Sequence, residues 1–238
     1  MIIIAVAVLP AILLWLFTCK HDANPEPMSQ MVKAFLLGAL ICFPVSFVEQ
    51  GISGLLFGAN GSPTTLIGST IEAFLVAALP EEGFKLLILW LILRHNPYFD
   101  EHFDGIVYAV CVGLGFATLE NLGYVLGNMD AWLQVAFSRA LLAVPGHYAF
   151  AVFMGYYYSQ YHFVEKSAKN LLSMFFVPFF AHGCYDAFAL TGSVEPVLGG
   201  ISFIVLVYFC IKLHRNARQK MIAQVELDRR DNMFADTF

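Results

Sequence analysis

Residues 66 to 93 read LIGSTIEAFLVAALPEEGFKLLILWLIL, an apolar run interrupted near its middle by Glu81, Glu82 and Lys85. A helix rises 1.5 Å per residue, so roughly 20 apolar residues cross a hydrocarbon layer about 30 Å thick, and this stretch is long enough. The rest of the chain says which solvent it meets. Of 238 residues, 59% are hydrophobic and 13% are charged, with 23 Phe and a mean hydropathy of +0.69. A soluble domain carries about 25% charged residues, so an ordinary cytosolic globule is excluded, as are disordered and collagen-like chains. The net charge of -5 comes partly from acids inside apolar runs, and no basic stripe lies outside the C-terminal tail, so no nucleic-acid partner is expected. Cys19, Cys42, Cys111, Cys184 and Cys210 stand singly in apolar stretches and read as small buried hydrophobes rather than a disulfide frame or metal knuckle.

Seven runs of spanning length emerge: Ile2 to Thr18, Met31 to Val48, Leu66 to Leu93, Asp104 to Gly127, Trp132 to Tyr161, Asn170 to Leu190 and Val197 to Leu213. Turn formers mixed with polar residues separate them, as at Asn24-Pro25-Glu26-Pro27 and Arg94-His95-Asn96-Pro97. The first run lacks the basic flank and small-residue cleavage site of a secretory signal and is kept as a span. The expected fold is all-α, a polytopic transmembrane helical bundle forming one integral membrane domain with the bilayer as its partner. Within it, residues 1 to 65 supply two accessory spans, 66 to 190 a core of four spans, 191 to 213 the last span and 214 to 238 a tail. Lys20, Lys33, Arg94, Lys166, Lys169 and the six cations from Lys212 onward fall on alternate sides of these seven spans. Loops rich in Lys and Arg stay cytoplasmic, which predicts the N-terminus outside and the C-terminus in the cytoplasm. The tail is expected to form a short helix in or near the cytoplasmic headgroups.

A charged group at the middle of a span costs about 2.5 to 3.5 kcal/mol on insertion scales, so the buried polar residues need partners. They are Glu81, Glu82 and Lys85 in the third span, Glu120 and Asn121 in the fourth, Arg139 and His147 in the fifth, and His182 and Asp186 in the sixth. Counted along each helix, Glu81 lies ~14 Å below Glu72, His147 ~12 Å below Arg139, Glu120 ~10 Å inside Gly127 and His182 ~12 Å from Leu190. Four helices can therefore bring carboxylates and two imidazoles to one level, the composition of a hydrolytic centre with or without a metal. Spacing supports this: Lys85 follows Glu81 by four and Glu82 by three, and Asp186 follows His182 by four, so each set shares a helix face. Pro80, and Pro145 with Gly146, free backbone carbonyls beside these residues, as backbone lining a wet cavity does. Gly123 and Gly127 form a GxxxG expected to let helices approach closely.

Pro80-Glu81-Glu82-Gly83-Phe84-Lys85, Asp104-Gly105 with the later Gly113-Leu114-Gly115-Phe116-Ala117-Thr118-Leu119-Glu120-Asn121, Arg139 through Pro145-x-His147 to Gly155, and His182-Gly183-x-x-Asp186 follow one another along the chain. In this order they resemble the motifs of the PrsW family of intramembrane proteases, over about residues 66 to 190. That family is distantly similar to the CAAX prenyl proteases and their bacterial relatives, whose second motif has a histidine where Glu120 stands. The resemblance implies a multi-pass protein of the cell (inner) membrane that cuts a membrane-tethered, single-span protein near the outer face. The type case of such a substrate is an anti-sigma factor in envelope-stress signalling.

On this reading His147, His182 and either Asp186 or Glu120 hold a zinc ion that acidifies a bound water. Glu81 or Glu82, restrained by Lys85, is the general base, and Asn121 or Arg139 stabilises the oxyanion. A metal-free alternative keeps the same residues, with Glu81 activating water. Two readings from other classes are a proton-coupled carrier, which commonly shows inverted repeats that this sequence lacks, and a non-catalytic scaffold.

Overall fold

The computed structural model describes residues 2–58 and 61–235, apart from the side chains of 234 and 235. Among the described residues there is no strand, and the helices follow one another almost without interruption. They are α1 (Ile2–Cys19), α2 (Met28–Leu40), α3 (Cys42–Phe57), α4 (Leu66–Ile71), α5 (Leu79–Leu93), α6 (Asp104–Gly127), α7 (Trp132–Leu141), α8 (Ala143–Ser159), α9 (Ala168–Val194) and α10 (Pro196–Ala235). Large apolar side chains cover the outside, with Leu55 88% exposed, Phe47 76% and Ile204 71%. So much exposed hydrocarbon is the surface of a protein solvated by lipid. Six helical runs are long and apolar enough to cross a bilayer. The stretch from Leu66 to Leu93 is helical throughout but carries Glu72, Glu81, Glu82 and Lys85, and it is not one of the six.

The central element is α6. Every residue from Asp104 to Ala117 is buried, because α1, α2 and α8 surround this half of the helix. Glycines permit the contact. A Cβ at Gly115 would stand 2.0 Å from the Phe35 carbonyl oxygen in α2, and one at Gly155 in α8 would stand 2.2 Å from that of Gly105. The GxxxG at Gly123 and Gly127 does not do this work, since among the described residues a Cβ at either would meet nothing within 4 Å. Those two glycines lie beyond the buried half of α6, where no neighbouring backbone reaches them.

Prolines break two of the expected straight spans. Pro44 has no N–H for the Leu40 carbonyl and its ring crowds that carbonyl, so the chain turns at Ile41 and restarts as α3, which continues past Val48 to Phe57. Pro145 has the same effect on Leu141: Leu142 leaves helical geometry at φ -122°, ψ -60°, separating α7 from α8. In the third span the residues ahead of Pro80, Glu72–Ala78, widen into a π-helical turn in which the Leu79 N–H bonds the Phe74 carbonyl. Such widened turns recur at functional sites.

The tail is helical but not a short helix on its own. It is the second half of α10, and Ala217, Met221, Gln224 and Asp228 are buried against the bundle. The Asp228 carboxylate accepts from the His102 and Phe103 N–H groups at 2.7 and 2.9 Å, satisfying donors at the start of α6. Asn24 bonds Glu101 and Gln160 bonds Gln224, so the loops rich in cations gather at this end of the bundle.

Candidate active site

Three residues of α5 start the site. Lys85 Nζ donates to Glu81 Oε2 at 2.9 Å and to Glu82 Oε1 at 2.9 Å, as the i,i+4 and i,i+3 spacings predict. Its remaining donor position faces His147 Nδ1 at 3.2 Å, and the ammonium lies 4.1 Å from the Phe116 ring centroid. All three of these charged side chains are buried, Glu82 completely.

Both imidazoles turn Nδ1 toward this cluster and Nε2 toward a carboxylate of their own. His147 on α8 bonds Glu120 Oε2 at 2.9 Å. Since its Nδ1 meets an ammonium and must accept, its proton lies on Nε2. His182 on α9 bonds Glu82 Oε1 through Nδ1 at 2.9 Å and Asp186 Oδ2 through Nε2 at 3.2 Å. With a carboxylate at each end, either ring nitrogen can donate. The His182 ring stacks on Phe150 at 4.8 Å, and the two imidazole centroids are 5.1 Å apart.

Arg139 closes the other side. Its Nη2 donates to Glu120 Oε2 at 2.6 Å, its Nε to Asn121 Oδ1 at 3.0 Å, and its guanidinium lies 4.0 Å from the Tyr124 ring centroid. Asn121 is fully buried and gives its amide N–H to the Ala7 carbonyl in α1 at 2.7 Å. The break at Leu142 changes the expected depths. Arg139 and His147, placed ~12 Å apart along one helix, meet on the same carboxylate oxygen of Glu120.

A cavity of about 990 Å³ gives access to this network. Glu81, Glu120, Arg139, His147, His182 and Asp186 line it, whereas Glu82, Lys85 and Asn121 are not among its wall residues. The wall comes from α3 between Cys42 and Ser53, the C-terminal halves of α6 and α9 and the N-terminal parts of α8 and α10, with Glu72 and Glu81 from the third run and Arg139 from α7. The cavity therefore sits toward the end of the bundle whose loops carry no Lys or Arg. Glu49, Glu72, Tyr124 and Tyr185 also line it. Glu49 escaped the sequence reading because the expected span stopped at Val48. Ser46, Glu49, Gln50 and Ser53, spaced i, i+3, i+4 and i+7, were the signal of a polar helix face there.

Donor atoms of Glu81, Glu82, His147 and His182 lie within 4.8 Å of one another, and all four residues are buried. Two imidazoles and two carboxylates are a donor set that suits zinc. Glu82 Oε2 is buried with no hydrogen-bond partner among the described residues, which leaves an acceptor for a further cation or water. The residues present thus fit a zinc ion. Asp186 and Glu120 stand outside that set, each behind one histidine, where carboxylates orient a ligating imidazole.

The model of the PrsW family intramembrane metalloproteases matches residues 26–213. The chain is 36% identical to the Protease PrsW of Geobacillus kaustophilus over 218 residues, 91% of this chain and 92% of that protein. It is 34% identical to the Protease PrsW of Bacillus subtilis over 227 residues, covering 94% and 99% of the two. With the Protease PrsW of Clostridioides difficile it shares 36% identity over 165 residues, 68% of this chain and 67% of the other. No solved structure matches the chain. The matched region holds the whole lipid-embedded network of Glu81, Glu82, Lys85, Glu120, His147 and His182, and the chain belongs to the PrsW family of intramembrane proteases.

Proposed function

We propose that this peptidase hydrolyses a bond in a membrane-tethered, single-span protein, with water activated by Glu81 inside the cavity. The observation that carries the reading is the meeting of Glu81, His147 and His182 on the wall of a cavity surrounded by lipid-facing helices, with Glu82 buried directly behind them. Glu81 is preferred to Glu82 as base because it lines the cavity, whereas Glu82 is completely buried behind it. Lys85 holds both carboxylates in place, and Glu120 and Asp186 fix the ring orientations of His147 and His182. Arg139 is the oxyanion-stabilising group: it lines the cavity, while the Asn121 amide is already committed to Ala7 and Arg139. A zinc ion would be held by His147 and His182 with Glu82 or Glu81. When bound it would supply an acidified water and a Lewis acid for the scissile carbonyl.

One observation favours a second, metal-free reading. The Lys85 ammonium already bonds Glu81, Glu82 and His147 Nδ1, so a cation stands among these donors without a metal. In that version Glu81 takes the water's proton and His147 and His182 polarise the carbonyl.

The proposed arrangement has seven spans with the N-terminus outside, supported by the alternation of Lys and Arg between loops. The cavity then faces the extracytoplasmic side, within reach of a substrate such as an anti-sigma factor cut early in stress signalling. The test joins cleavage with metal analysis, using a single-span anti-sigma-factor reporter in proteoliposomes. Wild type should release a fragment, and Glu81→Gln should lower the rate by 10²-fold or more. One zinc per chain, lost in His147→Ala and His182→Ala, with cleavage stopped by chelators, establishes the metal version. Zinc-free protein that cuts in chelator establishes the other, and cleavage by Glu81→Gln at the wild-type rate rejects both.

A further inference from the structure

The polar face of α3 has no role in the chemistry above, yet it forms part of the cavity wall. Ser46, Glu49, Gln50 and Ser53 all line the cavity, beside Phe43, on one face of a helix that elsewhere exposes the large apolar side chains of Phe47, Val48, Leu55 and Leu56. Ser53 Oγ donates to the Gly61 carbonyl at 2.8 Å. The side chains of Ser46, Glu49 and Gln50 make no hydrogen bond among the described residues. The helix itself is lightly held, with only Cys42 and Val45 buried, and it starts at the break forced by Pro44. On its apolar side a crevice of about 310 Å³ separates Val48 and Ile52 from Leu79, Pro80, Gly83, Phe84 and Leu87. Thus α3 is packed neither as a core helix nor as a purely lipid-facing one.

We infer that this face binds the main chain of the substrate, with Ser46, Glu49 and Gln50 as positioning residues that hold an extended segment carrying the scissile bond. The inference rests on the protease reading and names what delivers the bond to Glu81. A peptide bond buried in a helix has its N–H and C=O committed, so the segment to be cut must unwind. Inside a membrane each freed group then needs a polar partner. Ser46 to Ser53 spans about 10.5 Å at 1.5 Å per residue, the length of about three extended residues at 3.3 Å. The stripe offers hydroxyl and amide donors for carbonyls, and a carboxylate and amide oxygen for N–H groups, over that length. Unlike a pocket for one side chain, it fits any sequence that can be drawn out straight.

The experiment uses full-length protein in proteoliposomes with a single-span anti-sigma-factor reporter. Ser46→Ala combined with Gln50→Ala should raise KM about tenfold with kcat changed less than twofold. Direct contact is read by disulfide trapping in a Glu81→Gln, Cys42→Ala background. Gln50→Cys or Ser46→Cys should cross-link to a reporter cysteine within three residues of the cut site, whereas Phe47→Cys, on the lipid side, should not. Trapping at Phe47 equal to that at Gln50, or an unchanged KM in the double variant, overturns the inference and leaves the protease reading standing. If wild-type protein never cuts the reporter, both fall.

Discussion

Replacing Lys85 with methionine isolates the electrostatics on which the site depends. Methionine keeps most of the volume and removes the ammonium, leaving Glu81 and Glu82, respectively 3% and 0% exposed, without their shared partner. Glu82 keeps His182 at 2.9 Å, but the nearest imidazole nitrogens to Glu81 are 3.9 and 4.0 Å away. Glu81 is therefore left buried without a hydrogen-bonded cation. Breaking a buried pair by removing one partner costs about 3 to 5 kcal/mol, and the variant should lose stability on that scale. Unfolding free energies of wild type and variant, measured in the same mild micelles at pH 7, give the difference directly. Lys85→Met combined with Glu81→Gln should recover part of the loss, because the stranded charge is then gone. A deficit under about 1 kcal/mol would refute the buried triad.

Four further outcomes follow from the packing and the charge network. Gly115→Ala drives a methyl to within 2.0 Å of the Phe35 carbonyl and should cost about 1 to 3 kcal/mol in thermal unfolding. Gly123→Ala meets nothing and should be neutral or gain up to about 1 kcal/mol in helix propensity. Glu26, ahead of α2, is held above the usual carboxylate range by burial, against the Tyr108 hydrogen bond that lowers it. Its folded form therefore keeps a proton to higher pH than the unfolded chain, and wild-type stability declines as pH rises from ordinary glutamate values. Glu26→Gln should remove that decline, so stability curves against pH should diverge in the variant's favour above about pH 4.3. Asp186→Asn should leave the fold intact and lower cleavage by about 10 to 100-fold through loss of His182 orientation, with kcat rather than KM carrying the effect.

What the sequence could disclose was set by whether a feature is local. The EExxK and HxxxD spacings are properties of one helix turn, and the bonds from Lys85 to both glutamates and from His182 to Asp186 follow from them. Hydropathy is also local, and it marked out the six runs long and apolar enough to cross a bilayer. Pairings between helices were beyond such reasoning. That Glu120 belongs to His147 and Arg139 together depends on the break at Leu142, which turns a depth estimate along a straight rod into a meeting point. The prolines were visible as bond breakers, but the direction taken by the chain after each break is decided by what it packs against. The same limit explains the glycines. GxxxG describes a helix able to approach another, and only the fold decides that Gly115 and Gly155 have a partner backbone while Gly123 and Gly127 do not. Glu49 is the most instructive omission. Its charge ended the hydropathy window and made it look like a loop residue, although α3 runs on to Phe57 with Glu49 on the cavity side. In a membrane enzyme the residues that most resemble span boundaries are also those that line a hydrated interior. A polar residue at helical spacing from two others is better read as a face than as an end.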